Sequence, residues 1–371
     1  MILAKKIRLK PNKNQEILLW QSVGTARFIY NWTLARQKEN YENGGKFLSD
    51  NNLRKEITQL KKTDLSWLNS VSNNVAKQAV KDACNSYKSF FKKKTVFPKF
   101  KSRKKSKPSF YNDTDKLKVK ENLVLIEKVG WIKISEQLPL DTKYNNPRIS
   151  FDGKYWYISV GVEKENNSEK LSDKSIGIDL GVKDLAVCSN RKVFKNINKE
   201  KHVKKLKKKL KRLQRQVSRK YEKSKEVSNR YLKSQNILKL EQQIRLIHRR
   251  ISNIRNNYIH QITAEIVKTK PSRVVMEDLN VSGMMKNRHL SKAIAEQNFF
   301  KFITCMKYKC EFNGIEFIQV PRFYPSSKKC SQCGAIKKDL KLSDRVFKCE
   351  CGHVMDRDLN ASINLENYRV S

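Results

Sequence analysis

The sequence predicts an α+β protein of several domains. A β-barrel interrupted by a helical insertion comes first, and an α/β domain with a long helical hairpin and a small cysteine module follows. Three observations lead there. Within the first 165 residues the apolar pattern runs strand, helices, strands, so one sheet draws on both flanks of a helical insertion. After residue 175, short apolar runs that end in an acid alternate with long stretches at helical spacing. Four cysteines then fall in two close pairs. With 371 residues, the chain is long enough for two or three domains with real cores.

Residues 1–10 alternate, with Leu3, Ile7 and Leu9 on one face and lysines on the other, until Pro11 and Asn12 break the strand. Leu18, Leu19, Val23, Phe28, Trp32 and Leu34 recur near helical spacing, and further helices fall at 52–60 and 73–91. Residues 97–108, beginning Phe97-Pro98-Lys99-Phe100-Lys101 and including Arg103, form a basic loop with interleaved aromatics. Strands return over 116–162: Leu123-Val124-Leu125-Ile126, Trp131-Ile132-Lys133-Ile134, and a hairpin from Ile149 to Val162 that turns at Asp152-Gly153. The barrel is thus assigned to 1–10 and 110–165 and the helical lobe to 11–109, with a polar linker over 163–174.

The second domain is assigned to 172–325 and 354–371. Its first strand carries Asp179, and Leu185-Ala186-Val187-Cys188 is the hairpin partner. Val203, Leu206, Leu210, Leu213 and Val217, then Ile237, Leu240, Ile244, Ile247, Ile251, Ile254 and Tyr258, follow three-four spacing. Residues 201–266 therefore read as an antiparallel helical hairpin, with a polar turn near 224–229. Lys270-Pro271 ends it, and Arg273 to Met276 is the strand that delivers Glu277. A helix follows over 292–313, a third strand over 315–320, and a last short helix from Asp356 to Asn367.

The net charge is +44. A globular chain repels itself at that charge unless it is bound to a polyanion, and nucleic-acid phosphate is the usual one. No apolar run approaches the roughly 18 residues of a membrane span, and the first residues lack a signal-peptide core. The protein is expected in the cytoplasm, on nucleic acid. Lys207, Lys208 and Lys211 lie on the outer faces of the hairpin, either as a solvated surface or as a phosphate-facing one; the one-signed excess favours phosphate.

Cys84, Cys188, Cys305 and Cys310 sit among apolar neighbours as reduced core thiols. Cys330-Ser331-Gln332-Cys333-Gly334 and Cys349-Glu350-Cys351-Gly352 are different. Two close pairs, each followed by a glycine that permits a tight turn, suit a structural tetrahedral Zn2+, so residues 326–353 read as a zinc ribbon. His353 is close enough to compete as a ligand.

Asp179, Glu277 and the pair Asp356 and Asp358 remain. Each has a plain structural reading: a turn aspartate, a loop cap, a helix N-cap with an acid in its first turn. Together, two acids at neighbouring strand ends and a third on a helix packed over the sheet are the arrangement of an RNase H-like fold. Such a triad suits hard divalent cations, Mg2+ or Mn2+, and phosphodiester hydrolysis.

The ordered motifs Gly177-Ile178-Asp179-Leu180-Gly181-Val182, Val275-Met276-Glu277-Asp278-Leu279, Tyr324-Pro325-Ser326-Ser327-Lys328, the cysteine pairs and Asp356-Arg357-Asp358-Leu359-Asn360-Ala361 resemble those of the TnpB family. Tyr30-Asn31-Trp32 and Phe97-Pro98-Lys99-Phe100-Lys101 match as well, so the resemblance covers nearly the whole chain. It implies a wedge-like barrel with a helical recognition lobe, then a RuvC-like nuclease domain interrupted by the zinc ribbon. It also implies a guide RNA from the end of an insertion sequence, one protein per RNA, and cutting of double-stranded target DNA beside a short motif. The family's Asp-x-Asn-Ala pattern favours Asp358 over Asp356 as third ligand. Asn74 and Gln78 share a helix face, which the resemblance places beside the motif duplex; they serve equally well as ordinary surface amides. A nuclease-inactive RNA-guided repressor and a DNA-joining transposase are the alternative functions.

Overall fold

A computed structural model describes residues 1–140, 142–167, 170–228, 233–341 and 344–369, with the side chains of 227 and 228 set aside. The chain forms two compact units, Met1–Lys164 and Glu165–Ser371.

The first unit begins with β1 (Ile2–Lys10) and three helices, α1 (Lys13–Glu42), α2 (Asp50–Leu60) and α3 (Asn73–Phe91). Six strands follow: β2 (Ser109–Tyr111), β3 (Lys118–Lys120), β4 (Leu123–Ile126), β5 (Gly130–Ile134), β6 (Tyr144–Phe151) and β7 (Trp156–Glu163). Asn12 starts α1 through a capping box with Gln15, where the predicted strand breaks. The seven strands pair antiparallel in the order β2-β6-β7-β1-β5-β4-β3, with Ile7 opposite Ile158. The expected barrel is therefore corrected: among the described residues β2 and β3 are edges and no pairing joins them. Alternation fixes which side chains point inward, whereas closure depends on tilt and stagger summed over all strands. Trp156, Ile132, Ile149 and Ile158 form the sheet's core together with Leu19 and Val23 of α1. A second cluster joins Ile29 of α1, Leu53 and Ile57 of α2, and Ala76, Ala79 and Val80 of α3.

The second unit opens with β8 (Ser172–Leu180), β9 (Asp184–Cys188) and β10 (Val193–Lys195). The hairpin helices α4 (Lys201–Ser228) and α5 (Gln235–Lys268) come next, then β11 (Pro271–Glu277), α6 (Val281–Met284), α7 (Ser291–Gln297) and α8 (Phe299–Phe312). The rest is β12 (Glu316–Val320), β13 (Val346–Lys348), β14 (Val354–Asp356) and α9 (Arg357–Glu366). The main sheet has the order β10-β9-β8-β11-β12. β9 is antiparallel to both neighbours, while β8, β11 and β12 run parallel. Parallel strands need cover on both faces. Here Ile178, Val274 and Met276 pack against Ile259 and Ile262 of α5 and Phe299 and Phe302 of α8. Val275 and Val320 turn the other way, toward Leu365 of α9.

Two helical expectations shift. The helix expected over 292–313 is broken at Asn298, whose φ of 60° lies in the left-handed region that asparagine tolerates. α4 runs on to Ser228, so 224–228 of the expected turn are helical, and residue 229 lies outside the described residues, as do 168 and 169 of the expected linker.

Candidate active site and metal centre

The parallel ladder between β8 and β11 pairs Ile178 with Met276. One residue further along each strand stand Asp179 and Glu277, side by side at the C-terminal ends of adjacent strands, where open α/β sheets place their ligands. The helix α9 supplies the other acids. Asp356 is its N-cap and accepts the backbone N–H groups of Asp358 at 3.0 Å and Leu359 at 3.1 Å. Asp358, in the first turn, pairs with Arg357 at 3.0 Å and is 14% exposed.

The electrostatics record the convergence. Burial pushes the Asp179 carboxyl well above the usual carboxylate range, and Glu277, Asp358 and Asp356 push it further, with Arg357 opposing. Burial also raises Glu277, against the hydroxyl of Ser326, which donates to Oε1. Carboxylates that destabilise one another's charge are relieved by protons or by a cation. The donors are all hard oxygen, the type Mg2+ or Mn2+ takes, but among the described residues the acids do not close into a ligand-distance group as the four cysteines do.

Gly177 explains how α9 comes so close. A Cβ at this position would lie 1.9 Å from the Ser362 carbonyl oxygen and 2.4 Å from the Glu366 backbone nitrogen. The backbone of α9 therefore rests directly on β8, two residues before Asp179. Arg273 of β11 fastens the far end of the helix, donating to the Glu366 carbonyl at 2.9 Å.

The cysteine module lies next to this helix. The Sγ atoms of Cys330, Cys333, Cys349 and Cys351 all fall within 4.8 Å of one another. Four sulfurs at about 2.3 Å from a tetrahedral Zn2+ stand roughly 3.8 Å apart. Cys330 and Cys351 are at 3.8 Å, Cys333 and Cys349 at 3.5 Å. Gly334 and Gly352 have φ of 80° and 87°, the left-handed turn that each knuckle requires. Burial would raise the Cys330 thiol, but the backbone amides of Cys333 and Gln332 outweigh it and bring the thiol down to about 7. His353 lies outside the quartet: Nε2 faces the Ser331 hydroxyl at 3.2 Å, and its carbonyl accepts the Cys349 N–H at 2.9 Å. The other four cysteines are buried.

The side chains expected to contact nucleic acid divide into two groups. Asn74 donates to Glu127 at 3.1 Å and Gln78 to Asp82 at 2.9 Å, and Asp82 also takes a two-pronged pair from Arg148 at 2.9 and 3.0 Å. Lys101 stacks over the Tyr30 ring at 3.6 Å, and its backbone exchanges two hydrogen bonds with the Asn31 amide. Lys207 pairs with Glu296 at 2.6 Å. Lys99, Arg103, Lys208 and Lys211 are exposed. Sequence reasoning overlooked Asn364 and gave no role to Ser326 or Asn360. The signal was present: Asn360 and Asn364 are four apart on one helix face, and Ser326 stands in a motif with no apolar purpose.

Three family models match the chain. They are described as a helix-turn-helix domain over residues 1–46, a "Probable transposase" over 157–288, and a "Cas12f1-like, TNB domain" over 299–365. The chain is 31% identical over 381 residues to the "Putative RNA-guided DNA endonuclease InsQ" of Escherichia coli (strain K12), spanning 98% of this chain and 91% of that protein. It is 29% identical over 367 residues to the "Putative RNA-guided DNA endonuclease" of Streptomyces pristinaespiralis, spanning 98% and 88%. Its fold resembles the protein in a Cas12f1-sgRNA-target DNA complex, with a TM-score of 0.60 at 16% identity over 95% of this chain and 83% of that one.

Proposed function

Because the chain belongs to the TnpB family, we propose that it is the RNA-guided DNA endonuclease of an insertion sequence, cutting at Asp179, Glu277 and Asp358. The observation that carries this reading is the meeting of two parallel strand ends and the first turn of α9, where burial raises the Asp179 carboxyl and Glu277 and Asp358 raise it further. The strand order β10-β9-β8-β11-β12 supports an RNase H-like, RuvC-type layout.

Asp179, Glu277 and Asp358 would hold Mg2+ or Mn2+; such ions, when bound, supply an activated water and stabilise the leaving oxygen of the phosphodiester. The chain's own residues set this up. Ser326 orients Glu277, Arg357 holds Asp358, and Asp356 starts the helix that carries it. Asp358 is the third ligand in this reading because it stands in the Asp-x-Asn-Ala pattern and raises the Asp179 carboxyl more than Asp356 does, while Asp356 caps the helix. The four cysteines would hold a structural Zn2+.

The partners are a guide RNA from the element end, one protein per RNA, and double-stranded target DNA beside a short motif, in the cytoplasm of a prokaryote. Base pairing would carry target sequence, leaving the protein to bind phosphate and duplex shape. The chain's charge of +44 supports that division of labour.

The test is cleavage by the protein purified with its native RNA, with and without Mg2+. Asp179→Ala and Glu277→Ala should each abolish cutting and leave guided target binding largely intact. Normal cutting by either variant refutes the site. Binding without cutting by the parent identifies a repressor, and joined strands in place of free ends identify a transposase.

A further inference from the structure

We propose that Ser326, Asn360 and Asn364 are positioning residues that couple the four-cysteine module to the acid cluster, so that a filled module holds Glu277 in the orientation a divalent ion needs. The inference rests on the reading of Asp179, Glu277 and Asp358 as the cutting centre.

Glu277 is the last residue of its strand, paired with Val320 of β12, and the ladder fixes its backbone but not the rotamer of its side chain. The hydrogen bond it accepts at Oε1 comes from Ser326, which is 2% exposed. That bond leaves Oε2 for a metal ion. Ser326 is in turn held through its carbonyl, which accepts Asn364 Nδ2 at 2.8 Å.

The same Asn364 amide donates to the Lys329 carbonyl at 2.6 Å, and Asn360 donates to that carbonyl at 2.7 Å. Both lone pairs of one oxygen are thus used by two amides one helical turn apart. Asn360 Oδ1 then accepts the Ser331 N–H at 3.0 Å. Lys329 and Ser331 flank Cys330, so α9 grips the backbone on both sides of that cysteine. A turn with Lys328 and Lys329 N–H donating to the Pro325 carbonyl, at 3.0 and 2.9 Å, makes Ser326 and Cys330 parts of one short rigid segment.

Asn360 and Asn364 are 0% and 3% exposed. Burying an amide is costly unless its hydrogen bonds are made, and an apolar residue would serve α9 better for packing alone. All the bonds described here run between the knuckle, the acid loop and the helix that carries Asp358. A metal's supporting shell, when disturbed, typically loses about 10–100-fold in metal affinity.

The experiment uses the RNA-free full-length chain, kept soluble in high salt and titrated with Mn2+ by electron paramagnetic resonance. Ser326→Ala and Asn364→Ala should each weaken Mn2+ binding by about 10–100-fold with zinc content and circular dichroism unchanged. In the guide-loaded complex, the Mg2+ concentration for half-maximal cutting should rise in step, with target binding unchanged. Asn360→Ala, and removal of zinc from the parent protein, should act in the same direction. Folded Ser326→Ala protein with the parent's Mn2+ affinity overturns the proposal, and so does folded zinc-free protein with that affinity. Glu277→Ala is the control. If it too leaves Mn2+ affinity unchanged, the cutting-centre reading fails and takes the inference with it. If it weakens Mn2+ while Ser326→Ala does not, the inference alone fails.

Discussion

Gly177→Ala adds one methyl group two residues from Asp179. That methyl would meet the Ser362 carbonyl at 1.9 Å, while ordinary contact begins near 3.4 Å, so α9 must retreat by about 1.5 Å. Both obstructing atoms are backbone, so no rotamer change relieves the clash. The helix cannot tilt freely, because Leu365 packs against Val275 and Val320 and Arg273 holds the carbonyl of Glu366. Overpacking of this kind typically costs about 1–3 kcal/mol. The larger effect falls on chemistry: the first turn of α9 carries Asp358, and a displacement of about 1 Å at a reacting centre costs on the order of 100-fold in rate. Target cleavage by Gly177→Ala should therefore drop about 100-fold or more, with guided DNA binding retained and thermal unfolding moderately earlier. Single-turnover cleavage beside a binding assay measures both. Cutting within a few-fold of the parent rate, at unchanged melting temperature, refutes the claim that α9 rests on β8 here.

Elemental analysis should find one zinc per chain, retained in His353→Ala and lost in Cys351→Ala, because the histidine ring faces Ser331 and not the thiols. For Asp82, burial would raise the carboxyl, but hydrogen bonds from Arg148 and Gln78 outweigh it and hold it below the usual range. A depressed carboxyl stabilises the fold above its unfolded pKa of about 3.9 and stops doing so as pH falls through the folded value. Asp82→Asn should thus destabilise at pH 7 by about 1–3 kcal/mol, with the gap to the parent closing below pH ~4 in pH-dependent denaturation curves; a gap independent of pH counts against the pair. Lys208→Gln with Lys211→Gln should lower the log-log salt slope of RNA binding by roughly 0.7–0.9 per lost contact, whereas Lys207→Gln should disturb its pair with Glu296 instead. An unaltered slope in the double variant removes that face of α4 from the binding surface.

Much of this fold could be read locally. The helix expected at 73–91 is α3, Asn73–Phe91, because apolar spacing and the Ser72 cap act within a few turns of chain. The cysteine knuckles were equally readable, since two short loops and their glycines carry the whole geometry. Asp179 and Glu277 stood out because an acid ending an apolar run is a local event. The Asn298 break was not readable, because a single left-handed residue between two helical patterns leaves the apolar spacing undisturbed. Nor was the engagement of Asn74, whose partner Glu127 is brought in by packing from 53 positions away, whereas the Gln78 pair with Asp82, four residues on, is a matter of helix spacing.

The sequence by itself determined the elements, the faces they bury and the residue types available for chemistry. The tertiary structure decided whether the first sheet closes, how closely α9 approaches β8 and what holds the Glu277 side chain. Hydrophobic periodicity is a property of neighbours along the chain. The open edge of β2 and the contact of Gly177 with α9 each depend on atoms far away in sequence. Only the folded packing brings Ser326 to Glu277, 49 positions away, and no local pattern encodes that distance.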